Sequence, residues 1–308
     1  MPTVLAAFEW HILWQRIFHP DHAFVLALWR TVFVAVVAQL VGVILGLAAA
    51  LMRMSRFSLP AWLLVVSIMF LPLAVLVAVP LAIGMRLAHR RPQVIDRLNV
   101  GPRVYPLRAL SNLYTLVFRG TPVIVQIFFV YYGVNLLFGV TLIPNQVIGM
   151  SGQVFAGIVA LGINEGAYMR EIVRAGIDAI DRGQMEAAKS LGMTNSLGMR
   201  RIVLPQAARV IIPPLGNEFN NMLKTTSLLA FIGVTELFQD AEIHYSQTFK
   251  PVEYFAAVAF WYLVLTTIWS LIQARIERRL AASERGEELT MRERMQAAWS
   301  PVQAWGRR

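Results

Sequence analysis

The sequence predicts an all-α, polytopic integral membrane protein, and three observations carry that prediction. Hydrophobic residues occupy 57% of the 308 positions. Several apolar runs reach the roughly 20 residues that a helix needs to cross a bilayer. The formal charge of +10 is carried by Arg and Lys that gather at the ends of those runs, which is how membrane topology distributes them. Nucleic-acid binding calls for a basic face instead, so no nucleic-acid partner is expected. The absence of Cys removes disulfides, thiolate metal sites and thiol nucleophiles. His11, His19, His22, His89 and His244 are scattered, with no metal-ligand spacing among them, and no metal site is expected.

Taken in order, residues 1–22 read as an interfacial lead-in without the features of a removable signal peptide. Residues 23–52 form the first span, in which Gly42 and Gly46 make a small-xxx-small pair that lets another helix come close. Arg53 and Arg56 close it. Residues 57–85 carry no charge but are interrupted by Pro60, Pro72 and Pro80. They cross once with kinks, or they turn back as a Pro-broken hairpin. A single crossing leaves Arg53 and Arg56 outside, against the positive-inside tendency. In a hairpin each half of about 14 residues reaches only about 20 Å of a core near 30 Å. The hairpin is preferred because it does not reverse the topology. Basic residues 86–119 belong to the cytoplasmic side.

The next span is expected at 121–139, opening on Phe118-Arg119-Gly120-Thr121-Pro122 with Pro near the first helical position. An uncharged loop, 139–153, leads to a span at 153–177. After a polar, basic stretch comes an apolar segment at 207–235, interrupted by Pro213-Pro214. Glu236, Asp240, Glu242 and Glu253 against a single Lys250 mark the outer face. The last span, 254–274, is followed inside by Arg275, Arg278 and Arg279, and residues 280–308 form a basic cytoplasmic tail.

The polar stretch between the fourth and fifth of these segments is the most informative. Asp181 and Gln184 read as a capping box, Gly192 as a helix stop, and Glu186, Ala187, Ala188 and Leu191 as one face of the short helix between them. A second short helix begins at Thr194 or Asn195, and Pro205 fits the first turn of the apolar segment. Periodicity alone is satisfied by a solvated loop.

The spelling says more. Glu186-Ala187-Ala188, Leu191-Gly192 and Ile202-x-Leu204-Pro205 resemble the EAA loop of bacterial ATP-binding-cassette (ABC) importer permeases. Four further stretches resemble the polar amino acid uptake subfamily of those permeases: Phe118-Arg119-Gly120-Thr121-Pro122, Ala167-Tyr168-x-x-Glu171-Ile172-x-Arg174-Ala175-Gly176, Gly216-Asn217-Glu218-Phe219 and Leu223-Lys224-x-Thr226-Ser227-Leu228. Thr225 stands where many members carry an acid. The resemblance covers residues 24–56 and 111–280. It implies a type I importer bundle of five core helices plus an extra hydrophobic segment, in the cell (inner or plasma) membrane. The domains follow: a lead-in at 1–22, a permease domain at 23–279 with an insertion at 57–110 and a coupling loop at 178–206, and the tail.

What the family implies for function is translocation of polar or cationic amino acids by a subunit that is not itself an enzyme. Docking to a separate ATPase subunit falls to Glu186, Ala187, Ala188, Leu191, Gly192 and Pro205. A soluble solute-binding protein, periplasmic or lipid-anchored, delivers the substrate, and a second permease subunit, identical or related, completes the path. No Walker A pattern occurs, so ATP and Mg are expected on the partner chain and no cofactor on this one. The rival reading is a self-contained secondary transporter or channel for small polar solutes, which would use Glu165, Glu171, Glu218 and Lys224 for ion coupling. Such a protein has no reason to carry a docking loop.

Asn217, Asn220, Asn221 and Lys224 recur at i, i+3, i+4 and i+7, and with Glu218, Thr226 and Ser227 they form the candidate substrate path. Glu165, Tyr168 and Glu171 are its candidate gate. The alternative is a structural network in which Lys224 pairs with an acid such as Glu171 and the Asn side chains join helices.

Overall fold

The computed structural model describes residues 8–54, 59–60, 103–139 and 143–305. Its axis is helix α2 (His22–Met54), which follows a short helix α1 (Trp10–Phe18). At 1.5 Å per residue α2 is about 50 Å long, well beyond a membrane core of about 30 Å. Ala27, Ala35, Ala38, Gly42, Gly46 and Ala49 are buried along one of its sides, and α6 (Gly152–Asp178) lies in the shallow groove they leave. A Cβ on Gly42 would sit 2.5 Å from Cγ of Glu165, and one on Gly162 2.6 Å from Cγ1 of Val41. The close approach expected at Gly42 and Gly46 therefore has α6 as its partner.

Past α2 the chain returns to its own exit point. β1 (Leu59–Pro60) pairs antiparallel with β2 (Arg103–Val104), Leu59 facing Val104. Helix α3 (Pro106–Gly120) is then stitched to the end of α2. Ser111 donates to the Ala49 carbonyl at 2.8 Å, and Arg53 donates to Asn112 Oδ1 at 2.7 Å. Most of residues 57–85, and with them the choice between crossing and hairpin, lie outside the described residues. Their flanks nevertheless meet at one end of the bundle.

Residues 106–119 do not stay outside the bundle as their basic character suggests. α3 packs on α2 and α6, and with α4 (Val123–Phe128) and the π-helical turn Phe129–Gly133 it makes one apolar segment bent by 107°. α5 (Val134–Phe138) continues it. Pro122 caps α4 rather than entering its first turn, because Thr121 and Pro122 are both extended. A hairpin of β3 (Gln146–Val147) and β4 (Met150–Ser151) then precedes α6.

The loop after α6 holds α7 (Arg182–Ser190) and α8 (Asn195–Gly198). From α8 the chain passes through a π-helical turn, Met199–Val203, straight into α9 (Leu204–Thr225), so the expected helix, turn and helix is a short helix followed by one long irregular one. The wide turn sits just before Pro205. Leu204 donates five residues back to Met199, and that spacing gives the Pro ring room where a regular ladder would clash. Pro213-Pro214 likewise lies inside α9 and does not interrupt it, and Gln273 donates to the Pro213 carbonyl at 3.2 Å. A 3₁₀ segment, Thr226–Ile232, ends at Gly233 with φ +80°, leading to α10 (Leu237–Thr248) and α11 (Pro251–Trp305).

Among the described residues two helices are long and apolar enough to cross a membrane, His22–Met54 and Pro251–Leu280, and the bent pair makes a third. α6 and α9 are long enough but carry too many polar groups. Both pack against the apolar ones, α6 on α2 and α9 on α2 and α11. The acids expected to mark the outer face are mostly not solvated. Glu236, Asp240 and Glu253 are buried. Glu236 accepts from the Tyr262 hydroxyl at 2.6 Å and Glu253 from the Glu9 amide at 3.0 Å, tying α10 and α11 to their neighbours.

Candidate functional site

The break between α3 and α4 opens a cavity of about 550 Å³ against α6 and α9. Arg119, Gly120, Thr121 and Pro122 line it from the break, Asn164, Glu165 and Tyr168 from α6, and Glu218, Asn221 and Thr225 from α9. A helix end at membrane depth exposes carbonyls that lipid cannot satisfy. Two side-chain amides deal with them here. Gln126 donates to the Phe118 carbonyl at 3.0 Å and to Oγ1 of Thr121 at 2.8 Å. Asn164 donates to the same Phe118 carbonyl at 2.9 Å and to Oε1 of Gln126 at 3.0 Å. The break is thus held open as a built feature of the fold.

Charge is distributed unevenly around this space. Glu165 is only 5% exposed, rests against Gly42 and accepts from Gln39 Nε2 at 2.9 Å. Glu218 lines the same cavity from α9. Arg119 is the one cation among the lining residues, its guanidinium 5.0 Å from the centre of the Tyr168 ring. A cavity of this size with two carboxylates and a guanidinium suits a small polar molecule that carries both signs of charge.

The residues expected to form a substrate path are divided by this geometry. Glu218 and Asn221 line the cavity, joined by Thr225. Asn217 and Asn220 turn toward α11, where Gln273 donates to Asn217 Oδ1 at 3.0 Å and Asn220 donates to Ser270 at 3.2 Å. Lys224 and Ser227 border a separate cleft with Phe238, Phe255 and Tyr262, and Thr226 is buried, donating to the Leu223 carbonyl at 2.8 Å. Of the gate residues, Glu165 and Tyr168 line the cavity. Glu171 does not, and it pairs with Arg170 and with Arg174, not with Lys224. Arg119, Thr121 and Asn164 escaped notice as lining residues. The signal for Arg119 and Thr121 was present in the Gly-Thr-Pro break, and none marked Asn164 on α6.

At the other end of α6 the polar loop presents a different kind of surface. Asp181 caps α7 by accepting from the Gly183 amide at 2.6 Å, but the capping box is incomplete, because the Gln184 side chain accepts from Gln206 at 3.4 Å instead of reaching back. Gly192 ends α7 with φ +78°. Its amide donates to Lys189 O at 2.9 Å while that of Met193 donates to Ala188 O at 3.0 Å, the double bond of a glycine-terminated helix. Ala188 does not belong to the outward face. It is 1% exposed, and a Cβ on Gly198 would stand 3.2 Å from its own, so this alanine seats α7 on α8. Glu186 and Ala187 are exposed, and Leu191 projects with 78% of its surface free.

Comparison with known proteins adds descent to this geometry. Residues 102–282 match the family described as binding-protein-dependent transport system inner membrane component. The arginine transport system permease protein ArgU of Corynebacterium glutamicum is 44% identical over 200 residues, covering 62% of this chain and 61% of the relative. The chain therefore spans somewhat less than two thirds of that relative. The L-cystine transport system permease protein TcyB of Bacillus subtilis is 40% identical over 178 residues, 58% of this chain and 72% of the relative. A crystal structure of an amino acid ABC transporter with histidines superposes with a TM-score of 0.61 at 32% identity, over 83% of this chain and 94% of that one. The MetNI methionine ABC transporter in an inward-facing conformation shares the fold at 17% identity and a TM-score of 0.54, over 83% and 95%. The family match covers more than half of the chain and includes the broken helix, the polar helices α6 and α9 and the loop between them. This chain belongs to the family of binding-protein-dependent transport system inner membrane components, the permease subunits of ABC importers.

Proposed function

We propose that this chain crosses the cell (inner) membrane several times and passes amino acids, cationic ones foremost, through the cavity at the break between α3 and α4. The observation that carries the reading is the charge set of the cavity lining, with Arg119 against Glu165 and Glu218. A cationic amino acid offers one carboxylate and two cationic groups, and so matches that set charge for charge. A neutral zwitterion leaves one carboxylate without a counter-charge, which is costly where water is scarce. Of the relatives, the arginine permease fits this reading, while the L-cystine permease is named for a net-neutral amino acid.

In this reading α7 and α8 face the cytoplasm. Leu191, Glu186 and Ala187 seat in a groove of a separate ATPase subunit that binds ATP and Mg, while Gly192 and Pro205 hold the shape of the loop. A soluble binding protein delivers substrate at the opposite end, and a second permease subunit lies against the exposed part of the α9 stripe, Asn217, Asn221 and Lys224, which is unfit to face lipid. The test is reconstitution in proteoliposomes with candidate ATPase and binding-protein partners. Uptake of labelled arginine should require all three components and ATP. Uptake driven by an ion gradient with this chain alone would overturn the proposal.

A further inference from the structure

Helix α1 is held on one side and bare on the other. Arg16, in its last turn, is 9% exposed and pairs with Asp21 at 3.0 Å and with Asp240 of α10 at 3.6 Å. Its guanidinium also lies 5.9 Å from the centre of the Phe24 ring and 5.4 Å from that of Tyr254. The Trp261 indole donates to the Arg16 carbonyl at 3.2 Å, the Glu9 amide donates to Glu253 at 3.0 Å, and Lys250 pairs with Glu9 at 3.0 Å. These bonds fix α1 across the ends of α2, α10 and α11 that lie away from the α7–α8 loop.

The opposite face carries Trp10, Trp14 and Phe18, spaced four apart, which are 67%, 62% and 55% exposed. The same band continues onto α2 through the exposed Val25, Leu26 and Trp29, and onto the start of α11 through Val252. Among the described residues α2 and α11 are the two helices apolar enough to cross a membrane unaided, so the α1 face adjoins surface that lipid covers. Trp is the side chain suited to that boundary, with an apolar ring for the acyl chains and an N–H for water or headgroups.

We infer that α1 is an interfacial anchor whose Trp10, Trp14 and Phe18 face is set into the outer leaflet of the bilayer at the boundary between headgroups and acyl chains. Lipid grips the aromatic face while the Arg16 clasp grips the permease, so α1 ties the outer ends of α2, α10 and α11 to the plane of the membrane. The choice of the outer leaflet rests on the proposed cytoplasmic placement of the α7–α8 loop, while the anchor itself is independent of which substrate the cavity takes.

Its test uses the full chain in vesicles of phosphatidylethanolamine and phosphatidylglycerol. The chain has eight Trp, so the signal is the fluorescence lost on going from the natural protein to a W10F/W14F variant, which keeps the face apolar. Lipids brominated near the headgroup end of the chain should remove about half of that difference signal, and lipids brominated near the chain terminus far less, as insertion to roughly 5–10 Å requires. A difference signal untouched by either lipid but quenched by aqueous iodide would overturn the inference. So would a signal shielded from both lipid and iodide by a second copy, or shielded only once a soluble binding protein is added.

Discussion

The two sides of α6 differ sharply in how they are packed. Toward α2 it presents Gly162 to Val41 and Gly166 to the Gly42 and Gly46 turns, with no room at the seam for a further carbon atom. Toward α9 and the broken helix Asn164 and Tyr168 line the cavity, and Glu165 reaches it from its seat against Gly42. Close-packed interiors behave as rigid units, so α2 and α6 form one body. A lined cavity has no such constraint, and relative movement of α9 and α4 is possible there. Scaffold and cavity lie back to back on a single helix.

Breaking the scaffold side should have the largest effect. Gly166→Leu drives a branched side chain into the Tyr114 hydroxyl and Leu45, and overpacking of this kind costs about 3 kcal/mol or more. The expected result is loss of monodisperse protein in detergent and a lowered midpoint of thermal unfolding. A well-folded Gly166→Leu variant would show that the seam is not rigid.

A smaller loss should follow from Gln126→Leu, which removes the side-chain donor to the Thr121 carbonyl and leaves the Phe118 carbonyl with Asn164 alone. Each buried polar group left unpaired costs about 1–3 kcal/mol. Thermal unfolding of the purified subunit reads this directly, and Gln126→Glu, which keeps the shape but not the donor, should lose nearly as much. At the loop, Gly192→Val places a β-branched residue at φ +78°, where an ordinary side chain costs roughly 1–2 kcal/mol. Stimulated ATP hydrolysis by the partner should fall while membrane insertion is unchanged. Leu191→Ser should be the mildest for folding, within about 0.5 kcal/mol, because the side chain is largely free, yet it should weaken ATPase association measurably in a pull-down.

The sequence foretold some of these features and hid others for identifiable reasons. Gly192, Thr194 and the Gly42 and Gly46 pair were legible because each rests on local chemistry: a left-handed helix stop, a side-chain cap or a close approach. The stripe on α9 was not, although its residues do cluster on one side. At about 100° per residue, Asn220 and Glu218 lie roughly 160° apart, and periodicity cannot say where the boundary between the α11 contact and the cavity falls. Ala188 was misplaced because a small side chain suits a docking face and a tight internal contact equally well. Pro213-Pro214 reads as an interruption in isolation, yet α9 runs through both prolines unbroken. The broken helix reads as a simple start because one of its defining partners, Asn164, lies on α6, which only the fold brings to the break.

Competition between arginine and glutamine uptake in proteoliposomes carrying Glu218→Gln tests the cavity side most directly. The variant keeps the size of the side chain and touches none of the glycine seam. Losing one hydrogen bond to a charged group costs about 1.5–3 kcal/mol, so arginine uptake should fall by roughly 10- to 100-fold relative to glutamine uptake, with coupling to the ATPase retained. Equal uptake ratios for the natural protein and the variant would contradict the account, because the cavity would then take no part in reading the charge of the substrate.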